Sequence, residues 1–155
     1  MKSKIRQIAV IGGRYAEKPV IDAAERIGEL IAERDWQLIC GGMGGVMRSA
    51  CLGASSVGGI TIGVLPGKKR GSANFYVQIP IATGIGVARN SIIAHSADAA
   101  IAVGGRYGTL SEIAYFLQLG KPVVTLFCDW SIDGVVASAS PEEAVAIIEK
   151  KLGGK

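Results

Sequence analysis

Three glycine-rich stretches are the groups whose type and spacing are able to do chemistry. They are Gly12-Gly13, Gly41-Gly42-Met43-Gly44-Gly45 and Gly104-Gly105-Arg106-Tyr107-Gly108-Thr109. Glycine permits positive φ and lets a ligand approach the backbone closely. The second and third stretches run directly into helical patterns, whose first N–H groups are unpaired donors at the positive end of the helix dipole. Together these features form a cradle for an anion, phosphate above all. The competing reading is a set of tight strand-to-helix turns that need glycine for geometry alone. Neither of the longer stretches is GxGxxG or a P-loop ending in GK[ST], so the common dinucleotide and nucleoside triphosphate sites lose support. The candidate ligand contacts are Gly12, Gly13, Gly41, Gly42, Gly44, Gly45, Gly104, Gly105, Arg106, Gly108 and Thr109.

Two charged residues join them. Arg89 falls near the start of a helical segment, where the dipole disfavours a cation, and this placement calls for an anionic partner. Asn90 sits beside it. Glu112 follows Thr109 at the spacing of a capping box, Thr-x-x-Glu, which needs no ligand. A ligand-facing carboxylate fits the same position, and both readings stay open. His95 reads as a satisfied core or interface histidine rather than a catalyst, Lys68-Lys69-Arg70 as a solvated loop, Cys40 as a small buried residue and Asp98 as a local partner.

The elements that position these groups alternate. Ile5 to Ile11 is a β-rich run, followed by helical spacing of Val20, Ala24, Ile27, Leu30 and Ile31 within Pro19 to Arg34. The pattern then predicts a strand over Gln37 to Cys40, a helix over Val46 to Val57 and a strand over Ile60 to Leu65. Beyond the surface loop Pro66 to Asn74 come a helix over Val87 to Ser96 and an apolar strand over Ala99 to Val103. Thr109 to Leu119 reads as a helix and Pro122 to Phe127 as a strand. The last helix, Pro141 to Leu152, has Ser140 as N-cap, Pro141 at N1 and Glu143 at N3. Strands bare of polar residues between helices call for a parallel sheet covered on both faces. The expected fold is therefore α/β: Rossmann-like and doubly wound, a mostly parallel sheet with helices on both faces. No linker divides the chain, which reads as one domain over residues 1–155. Gly-Gly-Arg-Tyr occurs twice, at 12–15 and 104–107, each time after a strand. In doubly wound sheets such exits at the carboxyl ends of strands are where ligands bind.

Composition narrows the functional classes. Apolar residues make up 49% and charged residues 19% of 155 residues, which excludes a disordered chain. Glycine, at 22 residues, is about twice as common as usual. Aromatic residues are sparse at 6%; with no reading helix, this speaks against nucleic acid as a partner despite the net charge of +4. No Asp or Glu occurs between Trp36 and Ala97, a stretch that offers little to repel an anion. Three cysteines without a CxxC pair and a single histidine supply no metal-ligand set, and they fit a reducing cytoplasm. Mean hydropathy is +0.36, yet no apolar run approaches the length of a membrane span. The run behind the basic start Met1-Lys2-Ser3-Lys4 stops at Gly12, too short for a signal peptide.

GGRYGTLSE, Gly104 to Glu112, resembles the PGGxGTxxE motif of the LOG-like superfamily, formerly called "lysine decarboxylase-like". GGMGGVM, Gly41 to Met47, resembles its upstream GGGxxGLM segment, Arg89 falls at its R-K pair, and Ala97-Asp98-Ala99 matches its acidic step. Thr61 to Gly67 and Ile79 to Asn90 look most like the short molybdenum-cofactor carrier-type members. The resemblance implies a binding or carrier protein for a phosphorylated heterocyclic ligand, either molybdenum-cofactor-like cargo or a nucleotide. The alternative it implies is a nucleoside 5′-monophosphate phosphoribohydrolase, with Arg89 and Glu112 as the catalytic pair. Gly104, Arg106, Asn90 and Met43 depart from the enzymes' Pro, Gly, Lys and Gly, which favours the carrier. No lysine looks placed to anchor pyridoxal phosphate. The segment Thr109 to Leu119 is apolar over more than one stripe and predicts a homo-oligomer, a dimer or dimer of dimers.

Overall fold

Four consecutive residues of the first strand, Ile8 to Ile11, are buried, and their side chains divide between two cores. Ile8 and Val10 join one apolar cluster; Ala9 and Ile11 join another on the opposite face. That is the alternation of a strand covered on both sides. The structure, a computed structural model, describes residues 4–153; Met1-Lys2-Ser3 and the last two residues lie outside the described residues.

The elements in chain order are β1 (Gln7–Gly12), α1 (Lys18–Ala32), β2 (Gln37–Cys40), α2 (Val46–Ser56), β3 (Thr61–Leu65), β4 (Ile79–Ala82), α3 (Arg89–Ser96), β5 (Ala99–Val103), α4 (Tyr107–Gln118), β6 (Val123–Leu126), β7 (Val136–Ala137) and α5 (Pro141–Gly153). The strands form one seven-stranded sheet in the order β4-β3-β2-β1-β5-β6-β7, and every neighbouring pair is parallel. The expected Rossmann-like α/β fold is the observed one, with a sheet that is parallel throughout. Helices α1, α2 and α5 supply one core; α3 and α4 supply the other through Ile93, Ala94, Ile113 and Phe116.

Two strands are absent from the sequence reading. β4 exposes Ile79 and Ile81 and contains Pro80, so its apolar residues point outward and its edge lacks one donor. β7 is only two residues long. The final helix begins as expected: the Ser140 hydroxyl accepts from the Glu143 N–H at 3.1 Å. The Glu143 carboxylate reaches one residue further back than the motif implies, to the Ala139 N–H at 2.6 Å.

Helices α1 and α2 touch backbone to backbone. A Cβ built on Gly28 would lie 2.0 Å from the Ala50 carbonyl oxygen, and one on Gly53 would lie 1.9 Å from that of Glu25. Only glycine fits at either point. Because β2, β3 and β4 lie to one side of β1 and β5 to the other, the winding reverses between β1 and β5, and Gly12 pairs with Val103 at that seam.

Candidate functional site

At the seam, the exits from β1 and β5 open a crevice of about 830 Å³, the position where doubly wound sheets bind ligands. Gly12 and Gly13 line one side; Gly104, Gly105, Arg106, Gly108 and Thr109 line the other. Gly104 and Gly105 have φ of +58° and +100°, a reversal that side chains resist. A Cβ on Gly105 would also lie 2.2 Å from the Thr109 hydroxyl oxygen. The glycine pair thus turns the chain sharply, and Arg106 becomes the N-cap of α4.

This early start corrects the capping-box expectation. α4 begins at Tyr107 rather than Thr109, so Thr109 is the third helical residue and Glu112 lies almost a turn further in. Among the described residues, no hydrogen bond joins them and none reaches the Glu112 carboxylate. Glu112 is buried on the crevice wall, only 9% exposed. Burial pushes its carboxyl up to about 7, against the opposing pull of the Arg89 guanidinium.

Arg89 is the first residue of α3 and is also buried. Its Nε–H donates to the Val64 carbonyl at 2.9 Å, one Nη to the Gly41 carbonyl at 3.4 Å and the other to Asn90 Oδ1. The guanidinium therefore ties together the carboxyl ends of β2 and β3. Three of its five N–H groups are used, and the residue also lines the crevice. Burial pulls its pKa down, Glu112 opposes this, and the Arg14 charge adds to the lowering. Three arginines, Arg14, Arg89 and Arg106, thus line one crevice, together with two acidic residues, Glu17 and Glu112.

Of the sequence candidates, Gly12, Gly13, Arg89, Asn90, Gly104, Gly105, Arg106, Gly108, Thr109 and Glu112 come together on the crevice. Gly41, Gly42, Gly44 and Gly45 do not line it. Their loop backs the site instead. Gly41 leaves room for the Arg89 guanidinium, which would lie 2.5 Å from a Cβ there, and Gly45 packs on the Gly13 carbonyl. The Val46 N–H at the start of α2 donates to that same carbonyl at 3.0 Å. The α2 terminus is therefore plugged by protein. Asn74 fastens the loop further, its Nδ2 donating to the Met43 carbonyl at 2.9 Å.

Sequence reasoning missed Arg14, Tyr15, Val20, Met47, Val87 and Phe127, all on the crevice wall. Arg14 and Tyr15 carried a signal, since the repeated Gly-Gly-Arg-Tyr places one copy on each side of the seam. Met47, Val87 and Phe127 carried none, because strand order alone brings them there. Phe127 has a φ of +58°, an unusual conformation for an aromatic residue and one found at functional sites.

The remaining candidates stand apart. Asp98 accepts from the Gln7 N–H at 2.9 Å and pairs with Lys4 at 3.2 Å. His95 is exposed and not part of the core, which corrects the core expectation; its Nδ1 lies 2.7 Å from the Ser91 carbonyl one turn back on the same helix. Lys68, Lys69 and Arg70 are exposed. Among the described residues there is no group of three His, Cys, Asp or Glu able to hold a metal ion, and no helix long and apolar enough to cross a membrane.

The chain is similar to a protein of Archaeoglobus fulgidus, with 48% identity over 142 residues, covering 92% of this chain and 93% of that one. Among solved structures it is similar to the molybdenum cofactor binding protein of Rippkaea orientalis, with a TM-score of 0.91, 37% identity, and 96% and 98% of the two chains covered. It is also similar to the Moco carrier protein of Chlamydomonas reinhardtii, with a TM-score of 0.90, 35% identity, and 98% and 100% coverage. The family model of SLOG cluster4 matches residues 5–152, and the chain belongs to the SLOG cluster4 family, a LOG-like group as its glycine motifs implied.

Proposed function

We propose that the protein is a cytoplasmic carrier that binds a phosphorylated heterocycle, with the molybdenum cofactor as cargo. The observation that carries this reading is the convergence of Arg14, Arg89 and Arg106 on a glycine-walled crevice at the sheet's reversal. The kinship with molybdenum cofactor binding and carrier proteins over nearly the full length supports it. The phosphate sits at the Gly104-Gly105 turn, where the α4 N-terminus and the arginines offer charge-assisted donors. The heterocycle lies against Tyr15, Val20, Val87 and Phe127. The cofactor is cargo, so the protein's own residues need only bind and shield it. The test is direct: protein purified gently from a molybdenum-replete host is assayed for bound metal and, by mass spectrometry, for a released pterin. Both in near-equal amounts with the chain support the carrier; neither above a blank preparation overturns it.

One observation favours a second reading. Among the described residues the Glu112 carboxyl makes no hydrogen bond, and burial pushes it up to about 7, a value suited to proton transfer near neutral pH. In a phosphoribohydrolase, Arg89 would hold the phosphate or ribose while Glu112 stabilised the oxocarbenium charge or oriented water. Release of free base from nucleoside monophosphates by the wild type, abolished in Glu112→Gln, would establish this reading; silence with all of them supports the carrier.

A further inference from the structure

Arg106 belongs to two depressions. One is the crevice; the other, about 170 Å³, is lined by Arg106, Tyr107 and Trp130. Tyr107 is 81% exposed, and the Trp130 indole N–H makes no hydrogen bond among the described residues. The loop after β6 supplies one aromatic ring to each depression, Phe127 to the crevice and Trp130 to its neighbour. The chain has only nine aromatic residues; four of them, Tyr15, Tyr107, Phe127 and Trp130, line these two hollows. A half-buried Trp and an exposed Tyr beside an arginine form a surface on which a flat ring stacks. The arginine between the two hollows suits an anionic linker.

We infer that the Arg106–Tyr107–Trp130 depression is a second ring subsite, so that the protein accepts a ligand with two flat heterocycles joined through a pyrophosphate. The inference rests on the phosphorylated-heterocycle reading and extends it to the dinucleotide class. The first ring and its phosphate occupy the crevice. Arg106 holds the linker, and the second ring stacks on Trp130 and Tyr107. A ligand ending in a monophosphate leaves this subsite unused.

Three probes isolate the contribution of each part: adenosine monophosphate, adenosine diphosphate and diadenosine diphosphate, titrated calorimetrically against the intact protein. The second probe adds a phosphate to the first, and the third caps that phosphate with a second nucleoside, which removes one negative charge, so a gain in affinity has to come from the added ring. In the wild type, diadenosine diphosphate should bind about tenfold more tightly than adenosine diphosphate, the scale of one base–aromatic stack. In Trp130→Ala that ratio should fall to about one while affinity for the monophosphate stays the same, since Trp130 does not line the crevice. Tyr107→Ala, at a far more exposed position, is the second variant and decides the matter if Trp130→Ala fails to fold. Equal wild-type affinity for the two diphosphates overturns the inference, as does a preference that survives both substitutions. A monophosphate that binds without any gain for the dinucleotide removes only this subsite. No binding of any probe also overturns the inference, while the parent reading is decided separately by the metal and pterin bound to the gently purified protein.

Discussion

Replacing Glu112 with Gln tests whether the crevice wall holds a carboxyl that burial keeps neutral. Gln matches the protonated acid in size and cannot ionise. The folded carboxyl titrates at about 7, against 4.5 for an ordinary one, so the folded state holds its proton more tightly between those values. The sign follows from that difference. The contribution to stability is complete below 4.5 and is lost as pH rises through 7. A rise from 4.5 to about 7 corresponds to about 3 kcal/mol, and by pH 8 the wild type has forfeited nearly all of it. Urea denaturation at pH 5 and pH 8 reads this directly. At pH 5 the two proteins should agree within about 1 kcal/mol; at pH 8 Glu112→Gln should be the more stable by up to about 3 kcal/mol. An anionic ligand should show the same dependence, with wild-type affinity falling between pH 6 and pH 8 and that of the variant holding steady. A stability difference that is equal at both pH values, or of opposite sign, would refute the reasoning, because Arg89 would then be holding the carboxylate charged.

Arg89→Lys should keep a cation but lose the fork that joins Val64, Gly41 and Asn90. Unfolding measurements should show a loss of about 2–4 kcal/mol, and affinity for adenosine monophosphate should fall about ten- to a hundredfold. Light scattering at micromolar concentration should give a dimer or larger, because Tyr115 on α4 and Leu119 just after it are exposed and β4 exposes Ile79 and Ile81 on the same side of the sheet. Leu119→Glu with Tyr115→Glu should shift that mass toward the monomer.

The legible parts of the fold are those where burial on both faces leaves an unbroken apolar run. β2 and β5 match their expected bounds, Gln37–Cys40 and Ala99–Val103. β4 was hidden because Pro80 interrupts it and its isoleucines face outward. The start of α4 was misplaced because Thr109 and Glu112 carry a capping pattern, while the positive φ of Gly104 and Gly105 turns the chain so that Arg106, three residues before Thr109, is the N-cap. The site was legible where one loop supplies it, as at 104–112. It was not legible at Met47, Val87 and Phe127, whose meeting depends on strand order. The Gly41–Gly45 loop shows the opposite failure. Its composition matches a phosphate cradle, but the Gly13 carbonyl occupies the helix N-terminus that a phosphate would need.

The interlocked glycines of α1 and α2 give the binding site a stiffness that residues near a ligand cannot provide. With Gly28 and Gly53 pressed against facing carbonyls, the helix pair has no room to slide or rotate, and the Val46–Gly13 hydrogen bond carries that rigidity to the floor of the crevice. The walls near β1 are therefore ordered before any ligand arrives, and little conformational entropy remains to be lost on binding. A receptor preorganised in this way can take up and release cargo without folding or unfolding a segment at each exchange.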